Sequence, residues 1–136
     1  FSGLRTLLPP PPRRALVLID PPYEIREDYR LAFETLRDAN TRFPGGTYCL
    51  WYPQLHRMES RDLPAKLKRL PVPAWLHVSM TTRKPSPDGF GMHGSGLFIV
   101  NPPWTLPATL KTVMPWLTRT LALDDGAKFE LDFKIP

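Results

Sequence analysis

Apolar residues fall in two patterns along this chain, short continuous runs and longer stretches with a three-to-four spacing, and their alternation predicts strands separated by helices. The first run, Ala15 to Ile19, is mostly branched, which predicts a strand buried on both faces, as inside a parallel sheet. Asp20-Pro21-Pro22-Tyr23 ends it. Each proline lacks an N–H and fixes φ, so the chain leaves the sheet in a stiff, extended turn. Tyr29, Ala32, Phe33, Leu36, Ala39 and Phe43 then share one face of a helix over 26–43, closed by Gly45-Gly46. Thr47 to Tyr52 reads as an aromatic-rich second strand that Pro53 terminates.

Residues 57–70 predict a second helix with Leu63, Leu67 and Leu70 inward and Arg57, Arg61, Lys66, Lys68 and Arg69 on solvated faces. Pro64 places the start of its regular part near Asp62. Trp75 to Thr81 alternates, Leu76, Val78 and Met80 against Trp75, His77 and Ser79, which predicts a strand with unlike faces nearer the sheet edge. A polar loop over 82–94 leads to a fourth strand over 95–101. No helix fits between these two strands, so they pair antiparallel. Thr105 is the expected cap of a helix reaching Leu121, with Leu106, Leu110, Val113 and Leu117 as its stripe and a kink at Pro115. Lys128 to Ile135 is a weak terminal strand. Before all of these, Phe1 to Arg14 contains Pro9 to Pro12, a short polyproline segment that cannot be helix or central strand and so reads as a surface connector.

The order strand, helix, strand, helix, strand, antiparallel strand is that of the second half of a doubly wound α/β sheet, with an antiparallel strand near its edge. A strand buried on both sides needs neighbours on both sides. The expectation is therefore a partial domain over 1–136, with further chain upstream of Phe1.

Composition narrows the partner. The 18 Lys and Arg exceed the 13 Asp and Glu by a net +5, which leans toward a polyanion. Cys49 stands alone, so no disulfide framework or zinc site can be built, and a reducing, cytoplasmic compartment fits. No apolar run approaches the roughly 20 residues of a membrane span.

In open α/β sheets ligands bind beyond the carboxyl ends of the strands, where Asp20 and Tyr23 sit. A carboxylate and a prolyl carbonyl can each accept from an exocyclic NH2, and an aromatic ring can stack on the attached base. An ordinary strand-ending turn with Tyr23 packed as core accounts for the same four residues.

Three other motifs carry less. Gly89 to Gly94 fits GxGxxG, but it runs into a strand where a phosphate site needs a helix, so it reads as a hairpin loop. Asn101-Pro102-Pro103-Trp104 repeats the design of Asp20 to Tyr23. It ends a strand antiparallel to the first, so it should emerge at the opposite end of the sheet, with Trp104 as core or hinge packing. His77 and His93 lack metal-ligand partners, His77 being most simply a strand residue and His56 a loop residue, and no serine sits in a nucleophile elbow.

At Asp20-Pro21-Pro22-Tyr23 the chain resembles motif IV of the S-adenosylmethionine-dependent adenine-N6 methyltransferases. Leu7-Leu8-Pro9-Pro10, Arg13-Arg14, Leu16 to Glu24, Gly46-Thr47-Tyr48, Leu50 to Pro53, Gly91-Met92, Ser95-Gly96 and Asn101 to Trp104 extend the resemblance, in order, to the C-terminal half of the RlmJ type of 23S ribosomal RNA methyltransferase. The resemblance implies a class I (Rossmann-like) methyltransferase fold and methylation of an adenine N6 in 23S rRNA by a complete protein that is a monomer. It also implies roles for four residues. Asp20 and the Pro21 carbonyl would hold the amine, Pro22 would stiffen the turn, Tyr23 would stack on a base swung out of its helix, and Asp20 would lie near S-adenosyl-L-methionine. The glycine-containing donor-binding turn of the family is absent from these residues. A DNA adenine-N6 methyltransferase and a non-catalytic nucleic-acid-binding or DNA-utilisation protein that keeps the fold are the alternatives.

Overall fold

A computed structural model describes all 136 residues as five strands and four helices. A short helix α1 (Gly3–Leu7) precedes β1 (Leu16–Ile19), α2 (Arg26–Arg42), β2 (Thr47–Gln54), α3 (Met58–Leu67), β3 (Trp75–Thr81), β4 (Gly94–Val100), α4 (Leu106–Leu121) and β5 (Lys128–Lys134). The strands form one sheet in the order β1-β2-β4-β3-β5. β1 and β2 are parallel, and every other neighbouring pair is antiparallel. As the loop length requires, β3 and β4 pair antiparallel, but β4 folds back between β2 and β3. β4 therefore lies in the middle of these five strands, and β5, which runs in the same direction as β4, is the antiparallel strand at the edge.

Two apolar layers hold the sheet. On one face α2 and α3 bury Ala32, Leu36, Leu63 and Leu67 against Tyr48, Leu50, Trp75 and Phe98. On the other, Leu106, Leu110, Met114 and Leu117 of α4 cover Leu76, Val78 and Ile99, and Phe129, Leu131 and Phe133 of β5 complete that layer. Because α4 lies over β3 and β5, none of these 136 residues covers the same face of β1. The expected two-sided burial of the first strand is therefore corrected: Ile19 is buried, but Leu16 and Leu18 are 77% and 67% exposed. β3, expected near the edge with unlike faces, is buried on both faces between β4 and β5.

β2 continues through Pro53, where the sequence predicted its end. The β1 ladder stops at Ile19 opposite Leu50, so beyond Leu50 one side of β2 has no strand. Gln54 O faces β4, accepting from the His93 N–H. The missing N–H of Pro53 therefore falls on the open side, where a ladder does not need it. Side chains replace β1 there: the Tyr23 hydroxyl donates to Trp51 O at 2.6 Å and the Ser60 hydroxyl to Pro53 O at 2.6 Å. Ser60 Oγ also accepts from the Leu55 N–H, which pins the first turn of α3 and lets helix form from Met58 despite Pro64. At α4, Thr105 occupies the cap position without making a side-chain cap bond, and the expected capping is absent. The loop reading of Gly89 and Gly91 agrees with their positive φ of 76° and 83°.

Candidate active site

The turn after β1 stands at the end of the sheet that also carries the carboxyl ends of β2 and β3 and the amino ends of β4 and β5. Asp20 is exposed and belongs to none of the ion pairs in the chain. The carbonyls of Pro21 and Pro22 accept no hydrogen bond from the backbone. Three acceptors thus lie unbonded along one strand end, with Asp20 and Pro22 exposed and Pro21 buried, held by two fixed φ angles.

Tyr23 anchors this turn from below. Its backbone has φ of +53°, a left-handed conformation costly for a residue with a Cβ, and the side chain compensates. The ring is 3% exposed, packs 4.8 Å from the Tyr29 ring and 6.3 Å from that of Trp51, and its hydroxyl is bonded to Trp51 O. Burial raises the phenol pKa well above its usual value, so the hydroxyl remains a donor. Asp28, itself buried, then accepts the N–H groups of Glu24 and Ile25 on Oδ2 at 2.9 and 3.2 Å. It closes the first turn of α2 with half of a capping box, since Ile25 has no side-chain acceptor to complete it.

Chemically, a free carboxylate beside two unbonded carbonyls suits a ligand that offers N–H donors or positive charge. An adenine amine meets that description, and so does a sulfonium. No three His, Cys, Asp or Glu side chains converge on a point where a metal could be held.

The Asn101 quartet lies at the opposite end of the sheet, beside Thr47. Asn101, also left-handed at φ +55°, donates from Nδ2 to Pro44 O and Gly46 O, both at 2.8 Å. Trp104, expected as core or hinge packing, is instead 90% exposed, because the turn carries it outward before α4 returns to the sheet.

A polar layer around His77 was not foreseen. His77 is 3% exposed and its Nε2 lies 2.7 Å from the Tyr52 hydroxyl. Burial, with Lys68 nearby, pushes its pKa down to about 4. The available signal was the alternation of His77, Ser79 and Thr81 together with two glycines, Gly94 and Gly96, in the facing strand.

A mixed α/β sheet that presents free acceptors beyond the carboxyl end of a parallel strand has the makings of a methyltransferase-like fold. The chain belongs to the family described as ribosomal RNA large subunit methyltransferase D, RlmJ, which matches residues 1–133. It is 36% identical over 136 residues to the ribosomal RNA large subunit methyltransferase J of Haemophilus influenzae, covering all of this chain and 48% of that protein. It is 37% identical over 117 residues to the protein of the same name from Escherichia coli K12, over 86% of this chain and 41% of that one. A crystal structure of a Legionella pneumophila protein superposes with a TM-score of 0.85 at 31% identity, covering 96% of this chain and 48% of the other. The chain thus spans about half the length of the curated relatives it matches. No helix is long and apolar enough to cross a membrane.

Proposed function

We propose that this chain carries the amine-holding part of an S-adenosyl-L-methionine-dependent methyltransferase that modifies N6 of an adenine in 23S ribosomal RNA, within a class I doubly wound domain of which it is the C-terminal half. Family membership supports the reaction class. The observation that carries the mechanism is the turn itself, with Asp20 unpaired and the Pro21 and Pro22 carbonyls unbonded at the end of β1.

The two N–H groups of the adenine amine donate to the Asp20 carboxylate and the Pro21 carbonyl, which draws the nitrogen lone pair out of conjugation and aims it away from both acceptors. S-adenosyl-L-methionine, when bound beside Asp20, would supply an activated methyl group, its sulfur–carbon bond breaking to leave a neutral thioether. As the N–C bond forms, positive charge grows on the nitrogen, and acceptors already in place favour it without reorganising. A proton then leaves the amine toward solvent through Asp20. Pro22 holds the turn extended, and Tyr23, inward on Trp51, sets its height. Stacking of Tyr23 on the target base requires the ring to leave that packing, so in this reading its contribution is positioning, and any stacking accompanies arrival of the base. The closest test uses the protein at the full length of its relatives, tritiated donor and 23S rRNA. Asp20→Ala should lower transfer on the order of 100-fold with the melting temperature kept, and near-normal turnover would overturn the assignment. Equal turnover on adenine-containing DNA would move the substrate from RNA to DNA.

A further inference from the structure

Between α3, β3, β5 and the loop over 82–93 lies a cavity of about 730 Å3. It opens at the same end of the sheet as Asp20, since Thr81, Gly94 and Lys128 are opposite one another there. Counting β1-β2-β4-β3 at roughly 4.8 Å per strand puts it roughly 14 Å from the turn.

Its floor is polar at a cost. A Cβ at Gly96 would fall 2.3 Å from the Tyr52 ring, and one at Gly94 2.3 Å from Gln54 Oε1. Without those atoms Tyr52 and Gln54 lean across β4, Tyr52 to His77 and Gln54 to the Thr81 hydroxyl, which donates to Oε1 at 2.7 Å. Ser79 adds a buried hydroxyl between them. His77 Nδ1 is buried with no partner, and whichever tautomer is present, that atom leaves either a proton or a lone pair unmatched. Two glycines inside a strand and an orphaned imidazole nitrogen both weaken a fold, and apolar packing would have filled the space without either loss.

The rim is cationic in a selective way. Lys68 is matched by Asp132 and Lys84 by Asp125, and Glu130 is the remaining acid of the lining. Arg83 makes no ion pair, and the Asp88 carboxylate acts on it only at longer range. Its guanidinium is held by the Lys84 and Met92 carbonyls at 3.3 and 3.2 Å, and a Cβ at Gly91 would approach Nη2 to 3.0 Å. Arg61 and Lys128 also line the cavity without an ion pair. A guanidinium fixed by backbone and making no ion pair is suited to a phosphate.

We propose that this cavity is a second nucleotide site, which takes one ribonucleotide of the RNA a few positions from the target adenine, its phosphate on Arg83 and Lys128 and its polar edge on the Ser79–His77 floor. The proposal rests on the RNA substrate inferred above, and it is tested without the adenine. A six-residue oligouridylate has no amine for the Asp20 turn to methylate, so its binding reports on the cavity while methyl transfer reports on the turn. In the full-length protein, calorimetry should show oligouridylate binding that Arg83→Ala weakens about tenfold and that weakens with salt. Ser79→Ala, which removes only the hydroxyl, should weaken it several-fold with melting little changed, and the His77 imidazole proton resonances should shift on titration with uridine monophosphate. Three results would overturn the site: no oligouridylate binding, full affinity in Ser79→Ala, or inorganic phosphate shifting His77 as effectively as the nucleotide.

Discussion

The two proline quartets, Asp20 to Tyr23 and Asn101 to Trp104, share a plan and have opposite fates. Each follows an apolar strand, and each spends one left-handed non-glycine residue, Tyr23 in the first and Asn101 in the second. In the first quartet the aromatic ring is buried and the polar residue is free. In the second the polar residue is fully engaged and the aromatic is out in solvent. An anchor and a presented group have exchanged places. The lesson is that a turn built on two prolines needs one residue to hold it, and whichever residue does so is withdrawn from chemistry.

The largest expected effect falls on the anchor of the second quartet. Asn101→Ala leaves the Pro44 and Gly46 carbonyls without their donor and puts an ordinary residue at φ +55°. The combined cost is about 3 kcal/mol, or a fall in Tm on the order of 10 °C, while the transfer rate of the folded fraction is unchanged. A rate collapse without a change in melting would mean that the chemistry belongs to this quartet instead.

Next comes the presented group of the first quartet. Asp20→Asn keeps one acceptor oxygen but loses the charge, so transfer should fall about 10- to 100-fold with little effect on thermal melting. Tyr23→Phe should be milder, removing the hydroxyl bond to Trp51 O for about 1 kcal/mol. Because Tyr23 holds the turn, its rate loss should track disorder at Asp20, measurable as a weaker response to adenine with KM raised more than kcat is lowered. The smallest effect belongs to Trp104→Ala. A side chain 90% exposed should cost less than about 0.5 kcal/mol, and a larger loss of stability would restore the packing role that its aromatic character suggested.

Helices and strands were legible because their apolar spacing depends only on neighbouring residues. The face of α2 carrying Ala32, Leu36 and Ala39 and that of α3 carrying Leu63 and Leu67 lie where the periodicity puts them. What the sequence concealed depends on who sits next to whom. The apolar run Ala15 to Ile19 looks doubly buried, yet α4 lies elsewhere and Leu16 and Leu18 meet solvent. The His77, Ser79 and Thr81 side of β3 looks like a solvent face, yet it lies under α3, where Gly94 and Gly96 make room for polar partners. Pro53 looks like a terminator because the pattern of a single strand does not reveal that one of its sides is vacant. At the candidate site, the residues of the Asp20 turn were readable by type and order. That Tyr23 points inward was open, because an aromatic after two prolines can face either way.

β1 is short, pairs with β2 alone and leaves its outer backbone edge unpaired. Strands held on one side open locally at a free energy well below that of global unfolding, and their amides exchange early. Asp20 follows directly from this strand, so within these 136 residues the prolines tie the acceptor to β1 alone. How often the acceptor is in place is therefore a population, set by the opening equilibrium of four residues. Any segment that pairs with the free edge and covers Leu16 and Leu18 binds the closed state preferentially, and by linkage it raises the occupancy of the assembled site. Deuterium uptake at Val17 and Leu18 would measure that occupancy directly, so the readiness of this turn for an adenine can be read at residues that never touch one.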